Sequence, residues 1–322
     1  MTPKRIKVHV LTGFLGSGKT TLLNWALATA FGSETAVIVS EFGEVALDDV
    51  LIAARSEETL VMKSGCVCCL LRVDLVTTLM EIAARADAER RPLDRVVIET
   101  SGMSDPMPVL QTLQSDFNLL ARFEIASTLC TVDPTMPERD RNRREALIQI
   151  ASADHCIITK VDLVNEAAIT RTAAWIAETN PVAEVTRSGE VHAATLFARI
   201  EPEGLDLDAR LSRLPSPPAP GKHGMESRVL RIAEQPSWPA FAVWLSALLY
   251  WHGDRLLRIK GVLWDGERGT WIAVHTVRRF IYPPEHLSRT SMREPGACLV
   301  FIGEQLDFPT IERSYRQWVL QG

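Results

Sequence analysis

Hydrophobic residues in the first two hundred positions fall into short, nearly continuous runs separated by amphipathic stretches. Six of these runs are predicted strands, at 6–11, 35–40, 59–62, 95–100, 125–132 and 155–160. Helical patterns follow most of them, for example over 70–89 and 166–180. Alternating strands and helices predict a mostly parallel sheet covered by helices on both faces, and the unbroken apolar strands fit burial from both sides. This part of the chain is therefore predicted to be α/β.

The pattern changes near residue 200. Residues 201–226 are rich in proline, glycine and charge, which is typical of a linker. Later strand and helix patterns lie at 227–232, 237–253, 255–264, 270–284, 298–303 and 308–322. We therefore expect a first domain over 1–200, a linker over 201–226 and a smaller α+β domain over 227–322.

Composition and charge narrow the range of functions. The 322 residues suffice for about two domains, and 46% hydrophobic with 23% charged residues is ordinary for a globular protein. A net charge of −5 argues against non-specific nucleic-acid binding. The longest apolar run, 241–251, is far shorter than the roughly 20 residues of a membrane-spanning helix, and the N-terminus lacks a signal-peptide cleavage pattern. We expect a cytoplasmic protein with no nucleic-acid or membrane partner.

The stretch GFLGSGKTT at 13–21 fits the nucleotide-binding pattern G-x-x-x-x-G-K-[ST]. It follows a predicted strand and opens a predicted helix, so backbone N–H groups and the helix N-terminus can face phosphate oxygens. Lys19 is expected to neutralise the β and γ phosphates, and Thr20 to ligate Mg²⁺. The predicted nucleotide-binding residues of this loop are Gly13, Gly16, Ser17, Gly18, Lys19, Thr20 and Thr21. The pattern predicts a P-loop NTPase.

Two later stretches indicate which kind of NTPase. Glu99 ends an apolar strand, where an acid can hold Mg²⁺ or its waters. Thr159, Lys160 and Asp162 follow a later strand in IITKVDLV. A carboxylate there can accept hydrogen bonds from N1–H and the exocyclic amine of guanine, a pair of donors that adenine lacks, so Asp162 favours GTP. Thr159 replaces the usual asparagine of this element, which removes an amide contact.

Three of the six cysteines, Cys66, Cys68 and Cys69, lie within four positions. They precede a helical pattern, and a helix N-terminus stabilises the thiolate that binds metal. Three sulfurs are one short of a closed structural zinc site, which suits a metal that is handed on. A redox pair would need the spacing C-x-x-C, and a closed site would need a fourth ligand. Thiolate binding of a borderline-soft metal is favoured over these readings and over coincidence.

The P-loop and the segments EFGE, GCVCC, ETSG and TKVDL stand in this order along the chain. Over essentially its full length the sequence resembles the CobW family of metal-handling P-loop GTPases. The resemblance implies a GTPase that binds Zn²⁺, Co²⁺ or a similar ion through Cys66, Cys68 and Cys69, with the nucleotide state controlling metal affinity. It also implies a ferredoxin-like second domain.

The resemblance suggests roles for three acidic residues. Glu41 and Glu44 lie on a switch-like segment after the second strand and are candidates to sense the γ-phosphate or contact the metal. Asp48 is a candidate to position the attacking water. Many members carry a histidine-rich tract between the domains; here His223 stands alone in PGKHGMES, so a metal-gathering tract is not expected.

The predicted function is that of a slow GTPase that captures a transition metal with Mg·GTP and releases it on hydrolysis. The recipient would be a client metalloprotein or a metal-dependent cofactor-synthesis enzyme, and a nucleotide-dependent homodimer is one option for assembly. Turnover is expected to be slow because the sequence identifies no in-line arginine. Two alternatives stay open: an ATP-dependent kinase or transferase with incidental cysteines, and an interaction module that binds nucleotide and metal without hydrolysis.

Overall fold

The computed structural model describes residues 5–32, 34–41, 59–63, 68–197, 224–232, 236–266, 268–287 and 297–320. The predicted site residues Glu44, Asp48 and Cys66, and positions 201–223 of the predicted linker, lie outside these ranges. The chain divides into two compact units, Met1–Ala174 with Ala183–Ile200, and Trp175–Val182 with Glu201–Gly322. Among the described residues, no helix is long and apolar enough to cross a membrane.

The first unit is built on a seven-stranded sheet in which every neighbouring pair is parallel. Its strands are β1 (Ile6–Gly13), β2 (Thr35–Glu41), β3 (Thr59–Lys63), β4 (Arg95–Glu99), β5 (Phe123–Val132), β6 (His155–Ile158) and β7 (Glu184–Arg187). Their order is β3-β2-β4-β1-β5-β6-β7. The predicted α/β class is confirmed, and β1, which leads into the P-loop, lies at the centre of the sheet.

Wherever the structure describes the connection between consecutive strands, that connection contains a helix, as parallel pairing requires, and one further helix follows β7. The helices are α1 (Lys19–Thr29), α2 (Cys68–Ala88), α3 (Met107–Ser115), α4 (Phe117–Arg122), α5 (Glu138–Arg141), α6 (Arg144–Ser152), α7 (Glu166–Thr179) and α8 (Ala193–Leu196). Short 3₁₀ turns cover Val161–Leu163 and Ser188–Glu190. All six predicted strands form. The seventh, β7, was not predicted because EVTR is polar and half-exposed and so leaves no apolar run.

The second unit contains an antiparallel sheet with helices on one face. Its elements are β8 (Met225–Ile232), α9 (Trp238–His252), β9 (Leu256–Asp265), β10 (Thr270–Val277), β11 (Phe280–Ile281), β12 (Glu285–Leu287), β13 (Ala297–Glu304), α10 (Phe308–Tyr315) and a π-helical turn (Arg316–Leu320). Trp244 of α9 packs edge-on against Tyr315 at 5.1 Å between ring centroids, and its indole N–H donates to Ser314 Oγ at 2.9 Å. The α+β prediction is confirmed.

The strand order of this second sheet is β11-β10-β9-β13-β8, with β12 paired to β10. Strands β8 and β9 therefore run parallel to each other with the antiparallel β13 between them. This is a split β-α-β arrangement in which the last strand, β13, is inserted between β8 and β9. A ferredoxin-like domain, which the resemblance implied, inserts its third strand at that place, so the observed strand order differs from the expected one.

The predicted single strand over 270–284 folds back on itself. Arg278 has a left-handed φ of 48°, and Val277 pairs with Phe280, so Arg278 and Arg279 form the turn of a β10–β11 hairpin. Two-residue hairpin turns favour glycine or asparagine at positive φ, and the absence of either hid this turn in the sequence.

His9 of β1 is a fully buried polar residue at the centre of the parallel sheet. Its Nδ1 lies 2.7 Å from Ser127 Oγ of β5, and its ring meets Phe197 edge-on at 5.5 Å between centroids. Burial, with smaller contributions from the charges of Arg95 and Lys7, lowers the pKa of His9 to about 3. The imidazole is therefore neutral in the folded protein at neutral pH.

Between about pH 6.5 and pH 3 the unfolded chain binds a proton at His9 that the folded protein does not, so folding stability falls as the pH falls through this window. From pH 7 to pH 4.5 this one group costs about 2–3 kcal/mol. We expect His9→Asn, which does not titrate, to lose less stability over that interval than the wild type. Urea unfolding at the two pH values measures the difference, and parallel losses in both proteins would contradict it.

Candidate nucleotide and metal site

The P-loop joins β1 to α1 in a backbone conformation that only glycine adopts easily. Gly13, Gly16 and Gly18 have φ values of 143°, 69° and 90°. A Cβ on Gly13 would collide with the side chains of Thr131 and Ser17. The three glycines of the motif are thus required by backbone shape and by the close approach of β5.

The positive end of α1 and the ammonium group of Lys19 lie at the same loop. The Lys19 side chain is buried and its Nζ donates to the carbonyl oxygens of Gly13 at 2.9 Å and Phe14 at 3.4 Å. No side chain among the described residues caps α1, and its first turn holds no acid. Uncapped N–H groups next to a buried cation are suited to phosphate oxygens.

Thr20 and Glu99 form a pair of oxygen ligands beside the loop. Thr20 Oγ1 donates to Glu99 Oε1 at 2.7 Å, and Glu99 is buried at the end of β4. A hydroxyl and a carboxylate without nitrogen or sulfur ligands match the preference of Mg²⁺, so these residues fit the predicted magnesium site.

The loop after β4 is held against the P-loop by a residue that sequence reasoning missed. Gln149 of α6 is fully buried, and its Nε2 donates to the carbonyl oxygens of Gly102 at 3.1 Å and Ser104 at 3.0 Å. A Cβ on Gly102 would lie 2.8 Å from the backbone of Leu15, so the two loops touch. The available signal was a glutamine inside the otherwise apolar helix segment ALIQIA.

Thr159 lies behind the P-loop. Its Oγ1 donates to the carbonyl oxygen of Ser17 at 2.7 Å, and its side chain is 3.6 Å from the point where a Cβ on Gly18 would lie. Ser17 is tied to β5 as well, through a 2.7 Å hydrogen bond to Thr131. Thr159, which stands where this element usually has asparagine, therefore holds the P-loop through its hydroxyl group.

Lys160 and Asp162 stand at the end of β6. Lys160 adopts a left-handed conformation, with φ 49° and ψ 34°, and leads into the 3₁₀ turn that contains Asp162. The Asp162 carboxylate is exposed, so it can accept hydrogen bonds from a nucleotide base.

Asp133, just after β5, is a second residue that sequence reasoning missed. Its Oδ2 lies 2.6 Å from Lys160 Nζ, and its Oδ1 accepts from the backbone N–H and hydroxyl of Thr135 at 2.7 and 2.6 Å. Burial acts to raise the pKa of Asp133, but the hydrogen bonds from Lys160 and Thr135 outweigh it and hold the pKa below its usual value. The signal was the turn sequence Asp-Pro-Thr after a buried strand.

The predicted metal ligands lie partly inside the described residues. Cys68 and Cys69 are the first residues of α2, and Glu41 is the last residue of β2. Within the described ranges, no three histidine, cysteine or acidic residues are grouped as a metal site. Cys130, Cys156 and Cys298 are buried in the hydrophobic core and lie outside the predicted metal motif.

A central parallel sheet, a strand-to-helix phosphate loop and a strand-end acid define a P-loop NTPase. The chain matches the model for the CobW/HypB/UreG nucleotide-binding domain over residues 7–187. It also matches the model for the C-terminal domain of the cobalamin synthesis protein cobW over residues 225–318. The chain belongs to the CobW family, and the predicted resemblance is confirmed.

Curated relatives support the activity. The zinc chaperone YjiA of Escherichia coli is 32% identical over 317 residues, covering 96% of this chain and 98% of YjiA. The zinc-regulated GTPase metalloprotein activator 1 of Dictyostelium discoideum is 30% identical over 223 residues, covering 58% of this chain and 46% of that protein. The crystal structure of Zn(II)-bound YjiA GTPase superposes with a TM-score of 0.73 at 25% identity, covering 98% and 99% of the two chains. The predicted GTPase activity is confirmed.

We expect Thr159→Val to weaken GDP binding about tenfold, or 1.4 kcal/mol, because the loop loses the hydroxyl that holds it in its binding shape. Thr159→Ser keeps that hydroxyl and should bind GDP like the wild type. Fluorescent-nucleotide titration measures both variants. Equal affinity in the valine variant and the wild type would show that this tether does not prepare the loop.

Proposed function

We propose that this protein is a GTP-gated zinc chaperone. Mg·GTP binding favours capture of Zn²⁺ by the thiolates of Cys66, Cys68 and Cys69, and hydrolysis favours release to a client metalloprotein or cofactor-synthesis enzyme. The observation that carries the proposal is that β3, which leads to the metal motif, and β4, which ends in Glu99, belong to one parallel sheet and are separated only by β2. We choose Zn²⁺ over Co²⁺ as the proposed metal because two relatives of this chain are named zinc chaperones.

The strand register supports a short connection between the two sites. Glu99 is opposite Leu11 of β1 on one side and Val39 of β2 on the other. Glu41, two positions after Val39, is opposite Lys63 at the end of β3. Lys63 therefore ends β3 at the sheet edge that also carries the P-loop and Glu99, and Cys66 follows Lys63 by three positions in the sequence.

The start of α2 supports metal binding by thiolates. Cys68 and Cys69 are its first residues, and its first turn contains no acid. The helix dipole stabilises negative charge at this end, which lowers the cost of the thiolate form that Zn²⁺ requires. Buried residues farther along α2 anchor the helix, namely Leu75, Leu79, Ile82, Ala83 and Ala86.

Each residue at the nucleotide has a proposed task. Lys19 exchanges its contacts with loop carbonyls for the phosphates, while Thr20 and Glu99 hold Mg²⁺, which supplies positive charge to the phosphates when bound. Asp48 positions the attacking water. Glu41 and Glu44 respond to the γ-phosphate or contact the metal, and under this scheme a homodimer forms only in the nucleotide-bound state.

Linkage makes the proposal quantitative. If GTP favours the arrangement of Cys66, Cys68 and Cys69 that binds metal, the free energy of GTP binding and that of metal binding must be coupled by one shared term. A tenfold change in affinity corresponds to about 1.4 kcal/mol of coupling.

The test is a competitive Zn²⁺ titration against a chelator, with Mg²⁺ plus GDP and with Mg²⁺ plus a non-hydrolysable GTP analogue. We expect the analogue to tighten Zn²⁺ binding at least tenfold. The triple variant Cys66→Ser, Cys68→Ser and Cys69→Ser should lose this effect, while Cys298→Ala, a buried cysteine of the second unit, should retain it. Equal affinity in both nucleotide states, or tight binding in the triple variant, would refute the proposal.

A further inference from the structure

We propose that Asp133 is a positioning residue for recognition of the nucleotide base. It holds Lys160 by an ion pair, and through Lys160 it fixes the turn that presents Asp162 to guanine. The inference concerns nucleotide binding alone. It does not depend on the zinc proposal, and the absence of zinc coupling would leave it unchanged.

The parallel register brings the two residues together. Val132 of β5 is opposite Ile158 of β6, so the segments that leave these strands start side by side at the same sheet edge. Asp133 follows β5 directly, and its Oδ2 receives the Lys160 ammonium at 2.6 Å. The contact joins residues 27 positions apart in sequence.

The conformation of Lys160 makes this contact consequential. Its left-handed backbone, with φ 49°, is a conformation that residues other than glycine rarely adopt, because the Cβ crowds the following carbonyl oxygen. Thr159 is fixed on one side by its hydrogen bond to Ser17, and the Lys160 side chain is fixed on the other by Asp133. The direction in which the chain enters the Asp162 turn is therefore set by two tethers.

Asp133 itself is firmly held. One carboxylate oxygen receives Lys160, and the other receives two hydrogen bonds from Thr135, so both oxygens are engaged. The residue is buried, with an exposed fraction of 7%. A carboxylate held in this way acts as a fixed anchor for the ammonium group.

Arg141 of α5 fixes the loop that carries Asp133. Its guanidinium donates to the carbonyl oxygens of Pro134 at 2.9 Å and Met136 at 3.2 Å. It also donates to Thr172 Oγ1 of α7 at 3.3 Å, and α7 is the helix that follows the Asp162 turn. The loop after β5 and the segment after β6 are thus tied together twice. Such preorganisation lowers the ordering cost of ligand binding.

The Asp133–Lys160 ion pair is expected to contribute more to nucleotide affinity than to folding stability. The Lys160 side chain is 36% exposed, and ion pairs with this much solvent contact contribute little to global stability. Loss of the pair should therefore lower nucleotide affinity with little change in Tm.

The first variant is Asp133→Asn, because the asparagine oxygen can still accept from Thr135 while its amide cannot accept from Lys160. We expect the GDP dissociation constant to rise about tenfold. The affinity of inorganic pyrophosphate, measured by competition and used as a probe of the P-loop alone, should stay within twofold of the wild type. Asp140→Asn, which removes a nearby carboxylate paired with Arg143, is the matched control and should bind GDP normally.

The second variant, Lys160→Met, tests whether Asp133 acts through Lys160. The double variant that combines Asp133→Asn with Lys160→Met should bind GDP no more weakly than Lys160→Met alone, since the two residues form one unit. Additive losses would overturn the proposal. Unchanged GDP affinity in Asp133→Asn, or an equal loss of GDP and pyrophosphate affinity, would also overturn it, the latter by showing a general defect of the fold.

Discussion

The hydrogen bond from Thr20 to Glu99 connects the P-loop to β4, the strand that separates β1 from β2 and β3 in the sheet. Strand β4 lies between β1 and β2, and Glu99 at its end is in register with both. Any ligand that rearranges Thr20 therefore acts on a residue next to the end of β2. The carboxyl ends of parallel strands meet at one edge, which is why a single sheet can bring phosphate and metal chemistry together.

Around this contact the nucleotide loop is held from several directions. Thr131 on β5, Thr159 after β6 and Gln149 on α6 all fix the P-loop or the loop after β4. Each uses a buried polar side chain to satisfy a carbonyl or hydroxyl group that would otherwise be costly to bury. The second unit is built differently, with its core between one sheet face and two helices.

Residues whose chemistry limits the choice of side chain were predictable from sequence. The glycines and lysine of the P-loop, Glu99 at a strand end and Asp162 in a recognisable segment have few substitutes. Asp133 and Gln149 were not predictable, because their partners lie 27 and about 45 positions away and depend on strand order and helix packing. Strand β7 and the turn at Arg278 were not predicted for local reasons. The strand is polar and lacks an apolar run, and the turn has arginine where a positive φ usually indicates glycine or asparagine.

The central claim is that nucleotide state and metal binding are coupled across one sheet edge, and linkage requires that coupling to be reciprocal. The most direct measurement is the affinity of the non-hydrolysable GTP analogue with and without saturating Zn²⁺, beside the same pair of measurements for GDP. The account predicts that Zn²⁺ tightens binding of the analogue at least tenfold more than it tightens binding of GDP. An equal effect of Zn²⁺ on both nucleotides, or none, would contradict it.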